Sequence, residues 1–172
     1  MLPRSLTVPA LVLAYLAAIV AANLLAATYG PAVAVVNAFA LIALDLTARD
    51  RLHEAWAGRG LWPRMLALIA AGGALSYALN VAAGPIALAS CAAFAAAGLA
   101  DALTYHAARR RPWLQRANLS NFAGAALDSG VFVLLAFGPA AWPLIPLQLA
   151  AKVAGGALWA WLLRPRAREV RA

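Results

Sequence analysis

The sequence predicts an all-α polytopic membrane protein of six transmembrane helices, and three observations carry that reading. Apolar residues make up 65% of the chain of 172 and charged residues only 12%, with a mean hydropathy of +0.80; a water-soluble domain of this length is not ordinarily so apolar. The apolar residues fall into runs close to the roughly 20 residues that cross about 30 Å of hydrocarbon at about 1.5 Å each. The connections between runs alternate between uncharged turns and arginine-rich stretches.

In order, the first run is 6–28, too long for the core of a signal peptide and read as a retained helix. Tyr29-Gly30-Pro31 turns the chain without a charge, and 31–46 is a shorter second run ending near Asp45. The stretch 47–64 is the one long polar connection. Leu52 and Trp56, four apart, with arginines and acids around them, predict a helix lying at the membrane surface. Gly58, Gly60 and Pro63 end it before a third run at 65–83. Gly84-Pro85 is another uncharged turn, followed by 85–107, a basic connection, 119–137, the turn at Gly138-Pro139, and 142–163. These spans predict a single domain over 1–172 with no tandem repeat and no soluble appendage.

Charge sets orientation and removes function classes. The net charge is +8, and all but one of the 14 Lys and Arg lie near Arg4, in 47–64, in 109–116 or in the tail. With six spans these clusters fall on one side. The positive-inside rule then predicts a multi-pass protein of the bacterial plasma (inner) membrane with both termini cytoplasmic. Basic residues distributed this way line no soluble face, so nucleic acid is not an expected partner. His53 and His106 stand apart from any Cys or carboxylate set, and no metal or cofactor is expected. The lone Cys91 lies in an apolar run as a small packing residue. No nucleophile-elbow, zinc-protease, phosphate-loop or CxxC pattern occurs, which predicts a non-enzyme without an ATPase of its own.

The remaining basic residue, Lys152, lies inside an apolar run, as does Asp128. A charge at the bilayer centre costs about 2.5 to 3.5 kcal/mol on insertion scales, so such residues face a partner, a cavity or a substrate. Counting about 1.5 Å per residue puts both near the midplane, with Asn23, Asn37, Asn80 and Gln148 in the outer half and Asp45 and Asp101 in the cytoplasmic third. Gln148 and Lys152 are four apart, Asn121 and Asp128 seven apart, and Ser76, Tyr77 and Asn80 form a third polar stripe. A cavity open to the outside and floored by Asp128 and Lys152 satisfies them together. The substrate-binding candidates are therefore Asp128, Lys152, Gln148, Asn121, Asn80, Asn37, Asn23 and Tyr77. Asp45, Asp101 and Arg49 are coupling or gating candidates, and Asp45 can also salt-bridge Arg49 one turn on.

The set Asn23-Leu24-Leu25, then FALIALDLT at 39–47 running on to Arg49, then Asp101 before a basic loop, then SNFAGAALDSGVF at 120–132, then Lys152, resembles the queuosine precursor transporters, also called the vitamin uptake transporter family. The resemblance covers nearly the whole chain. It implies a six-helix bundle like the substrate-binding subunits (S-components) of energy-coupling-factor vitamin transporters, and uptake of 7-cyano- or 7-aminomethyl-7-deazaguanine. A guanine-like edge offers N–H donors to Asp128 and acceptors to Lys152, Gln148 or an Asn, while Tyr77, Phe122 or Phe39 can stack on the ring. The sequence departs from the family in short loops and a high alanine content. The AxxxA spacing of Ala10, Ala14, Ala18, Ala22 and Ala26 suits close packing or a docking face for a coupling subunit. A coupling subunit or a second copy of the chain are thus possible partners beside solute and lipid bilayer.

The alternatives are a substrate-binding subunit for another vitamin-like or purine-like solute driven by an external ATPase module and, in another class, an intramembrane enzyme or accessory membrane subunit. An importer is favoured over the enzyme because no nucleophile with a base is present. It is favoured over a pore because the polar groups gather at particular depths rather than along the whole span.

Overall fold

The computed structural model describes residues 7–56, 60–108, 110–111 and 113–163, and the side chains of His53 and Asp101 lie outside the described set. Among the described residues the chain is helical with no strand. The helices are α1 (Val8–Tyr29), α2 (Ala34–Asn37), α3 (Ala43–Trp56), α4 (Leu61–Leu79), α5 (Gly84–Ala107), α6 (Trp113–Phe137) and α7 (Leu144–Leu162). Helix α2 runs into a π-helical turn, Ala38–Ile42, and from there directly into α3.

Each element follows from local chemistry. Pro9 in the first turn of α1 costs nothing, because the amide it lacks would have had no partner. Gly30 ends α1 with φ 59° and Gly138 ends α6 with φ 82°, conformations open to glycine, so both turns carry it. Asn80 leaves the helix after α4, and its side-chain oxygen accepts from the Ala82 amide at 3.0 Å, capping the short turn Val81–Ala83.

The segment 47–64 departs from the expectation of a separate surface helix. No Gly or Pro interrupts the chain between 43 and 56, so α3 continues the second helical run without a break. Ala48 and Leu52 extend its apolar face and are fully buried against Leu11, Tyr15, Met65 and Leu68. Hydrophobic burial keeps the polar-looking helix on the bundle rather than on a lipid surface.

Among the described residues, two segments are long and apolar enough to cross a membrane, Val8–Arg49 and Val81–Ala100, while Asn121–Phe137 and Leu144–Trp159 are apolar but shorter. The first is folded back on itself at Gly30. Asn37 donates to the Ala22 carbonyl at 3.1 Å, and Leu52 packs on Leu11 and Tyr15, so α1 and α3 run antiparallel. The expected six spans thus reduce, on length and hydropathy, to these segments; Pro63 and Arg64 dilute the start of α4, and basic residues dilute the start of α6.

The distribution of polarity is inverted relative to a soluble domain. Leu13, Leu88 and Leu135 are 68%, 72% and 61% exposed, whereas Asn23, Gln148 and Lys152 are 2%, 2% and 4% exposed. Apolar side chains on the outside and polar ones within match a lipid solvent. Small residues let the helices approach. Ala18, Ala22 and Ala26 are buried inside the bundle, so the C-terminal part of the alanine stripe serves internal packing. Gly155 of α7 sits on the π-helical turn, where a methyl group would overlap the Phe39 carbonyl oxygen and lie 2.8 Å from the Ala43 Cβ.

Gly155→Ala is therefore expected to destabilise the protein by about 1 to 3 kcal/mol, whereas Gly156→Ala, with no atom within 4 Å of the added methyl, leaves stability unchanged. Thermal unfolding of the two variants in detergent checks this difference.

Candidate functional site

A cavity of about 50 Å³ lies between α1, the second helical run, α5, α6 and α7. Its polar lining comes from Asn23, Asn37, Asp45, Ser90, Asp128, Gln148 and Lys152. Phe94 of α5 and Phe132 of α6 supply its two aromatic side chains.

The centre of the site is an ion pair. Lys152 Nζ donates to Asp128 Oδ2 at 2.5 Å and to Ser129 Oγ at 3.0 Å. The Ser129 hydroxyl donates a hydrogen bond to the Ala125 carbonyl at 2.9 Å, which orients its lone pair toward the ammonium. An ammonium has three donors, and these contacts use two of them. The other carboxylate oxygen of Asp128, Oδ1, meets no donor among the described residues. Asp128 keeps 15% of its side chain accessible and Lys152 only 3%. The pair thus presents a carboxylate oxygen and one ammonium proton to the cavity.

Gln148 stands one turn before Lys152 on α7, 2% exposed, and its amide makes no hydrogen bond to the described residues. Its amide is therefore available to a solute or water in the cavity. Asn37 spends its amide N–H on the Ala22 carbonyl and keeps its oxygen for the cavity.

Asn23 is different. Its Nδ2 donates to Ser76 Oγ at 3.1 Å, its Oδ1 accepts from Ser90 Oγ at 2.8 Å, and Ser76 in turn donates to the Gly72 carbonyl at 2.8 Å. Its amide is used on both sides to tie α1 to α4 and α5, so Asn23 borders the cavity as an interhelical link. Asp45, 4% exposed, lines the same cavity as Asp128 rather than a separate cytoplasmic station. Arg49, one turn beyond, places its guanidinium 4.9 Å from the ring centroid of Phe94 and so touches the cavity wall from behind.

Three of the sequence candidates lie elsewhere. Asn121 is exposed, Tyr77 is 54% exposed and packs its ring on Gly84, and Asn80 is occupied as a turn cap. Asp101 falls among the side chains not described. The suggested stacking groups also face outward, Phe122 at 57% and Phe39 at 40% exposure. Sequence reasoning missed Phe94 and Phe132. A usable signal existed, since each stands four residues after a polar member of the site, Ser90 and Asp128 respectively, and so on the same helix face.

Removing one partner of the pair strands a buried charge or leaves its partner group unsatisfied. Asp128→Asn and Lys152→Met are each expected to cost about 3 kcal/mol or more, and the double variant less than either. Thermal unfolding of the four proteins in one detergent checks this; a double variant as unstable as the two losses added would contradict the pairing.

The comparisons with known proteins agree with the membrane character of the fold. The family model described as "Putative vitamin uptake transporter" matches residues 9–164. Searches of curated proteins and of solved structures returned no match. An all-α bundle with an apolar exterior, a polar interior cavity and a family match over nearly its full length has one consistent reading: the chain belongs to the vitamin uptake transporter family, membrane proteins whose cargo is a small molecule.

Proposed function

We propose that the chain imports queuosine precursors, 7-cyano- or 7-aminomethyl-7-deazaguanine, across a bacterial inner membrane, with six spans and both termini in the cytoplasm. The observation that carries this reading is the set of unspent polar atoms in one cavity that two phenyl rings also line. A deazaguanine is planar, carries N–H donors on its pyrimidine edge and a carbonyl acceptor beside them. Asp128 Oδ1 and the Asn37 oxygen suit the donors, and the third Lys152 proton or the Gln148 amide suits the carbonyl. Phe94 and Phe132 offer apolar surface to the ring faces.

Six helical rods are consistent with six spans once α4, α6 and α7 are allowed polar ends, and Asn23, Asn37, Ser76, Ser90, Ser129 and Lys152 give each pass an inward polar group. The arginine clusters, all near one end of the rods in a six-pass topology, support cytoplasmic termini. A substrate-binding subunit driven by an external ATPase module uses the same cavity, and the reading of the solute does not depend on which energy source acts.

In cells that cannot synthesise deazaguanines but can use supplied precursor, expression of the chain is expected to restore queuosine-modified tRNA. Gln148→Leu should lower uptake about tenfold, the equivalent of one hydrogen bond of about 1.4 kcal/mol, while Asn121→Leu, outside the cavity, leaves it unchanged. Absence of rescue by a well-inserted protein removes the deazaguanine reading.

A further inference from the structure

The second helical run contains a feature that the binding chemistry alone does not use. Between α2 and α3 the backbone widens for one turn, Ala38–Ile42, with the Ala43 amide bonded to the Ala38 carbonyl five residues back. Such a turn accommodates one more residue than an α-helical turn and leaves a carbonyl in the segment without its usual amide. The Ala40 carbonyl, inside the turn, accepts the indole N–H of Trp159 at 2.8 Å. Trp159 belongs to the stripe of α7 that carries Gln148, Lys152 and Gly155, spaced four, three and four residues apart. One face of α7 therefore presents Lys152 to the cavity and grips the widened turn below it.

The turn changes which residues face the cavity. Its lining from this run is Ala34, Asn37, Ile42, Asp45 and Leu46. In an uninterrupted α-helix, at about 100° per residue, those five positions would spread over an arc of about 180°, with Asp45 about 80° away from Asn37. Taking up one residue in the widened turn brings Asp45 to within about 20° of Asn37 and narrows the arc to about 100°. That is an arc one side of a helix can present to a single cavity.

We propose that Trp159 is a positioning residue: by satisfying the Ala40 carbonyl it holds the widened turn, and the turn sets Asp45 and Leu46 in phase with Asn37 on the cavity wall. The consequence for transport rests on the reading of the cavity as the solute site; the geometry does not. Without the indole donor the turn relaxes to α-helical register, and everything beyond it rotates by about 100°, which turns Leu46 away and brings Leu44 to the cavity.

The test uses the full chain with Cys91→Ala, which removes its single cysteine, and reporter cysteines placed one at a time as L44C and L46C. Labelling by a small cationic methanethiosulfonate reagent is measured in membranes, without any solute, so failure of the deazaguanine reading leaves the result standing. In the parent, L46C reacts several-fold faster than L44C. W159F, which keeps an aromatic ring but no donor, reverses that order. Deleting Ala40 together with W159F restores the parent order, because removing the extra residue lets an ordinary α-turn carry the same phase. An unchanged labelling order in W159F overturns the proposal. If W159F does not accumulate as folded protein, the double variant does so and labels at L46C; failure of the double variant to accumulate, or labelling at L44C in it, also overturns the proposal.

Discussion

The fold depends on one ammonium group. Lys152 cannot face hydrocarbon, and its long stem gives it no route to either end of α7 from the middle of the helix. It has to meet Asp128 and Ser129, so α6 and α7 are fixed in the register that brings those residues together. Placing a carboxylate and an ammonium inside the bundle obliges the surrounding helices to supply further polar groups on their inner faces, and Gln148, Asn37 and Asp45 do so. The pair stabilises the assembly little in itself, because the desolvation of two ions offsets most of their attraction. Its effect is on uniqueness: alternative packings leave a buried charge unmatched.

Around this centre the helices are joined by two kinds of close contact. On one side the chain Ser90 to Asn23 to Ser76 to Gly72 links α5, α1 and α4 by hydrogen bonds, and the Ile19 side chain fills the space that Gly72 leaves. On the other side α7 meets the second helical run at Gly155, which lies against backbone, and through the Trp159 indole on a carbonyl. The first arrangement closes the cavity. The second sets how much of the run faces it. Between them the walls are formed by aromatic rings, one of which, Phe94, has the Arg49 guanidinium on it, so a charge near the helix end touches the lining through a ring.

How far this was legible in sequence follows from what sets each residue's direction. Helix boundaries track the apolar runs closely, since Gly30 and Gly138 mark turns by local backbone preference alone, while the turn expected at Gly84-Pro85 falls earlier, at Val81–Ala83, and Gly84 opens α5. Gln148 and Lys152 share a face by α-helical spacing, and that spacing holds because α7 is regular. Asp45 is where periodicity fails. The widened turn shifts its phase, and nothing local in AFALI announces that turn; it depends on Trp159, 119 residues away. Asn121 and Tyr77 failed for another reason, because spacing tells which residues share a face but not which way the face points. Asn80 was a cap, and its chemistry resembles that of a ligand until the Ala82 amide is placed beside it. The end of the second run was misread because Ala48 and Leu52 carry its burial through a stretch whose composition is polar.

The central claim is that the space beside the Asp128–Lys152 pair receives a planar, purine-like solute rather than serving only as a packing defect. The most direct measurement is a calorimetric titration of the purified protein with a panel of 7-deazaguanines, purines and unrelated vitamins, repeated with Asp128→Asn. The account predicts saturable binding of 7-cyano- or 7-aminomethyl-7-deazaguanine, weakened at least tenfold in the variant, with no binding of the unrelated vitamins. Binding of an unrelated vitamin in preference to every deazaguanine, or deazaguanine binding that Asp128→Asn leaves unchanged, would contradict it.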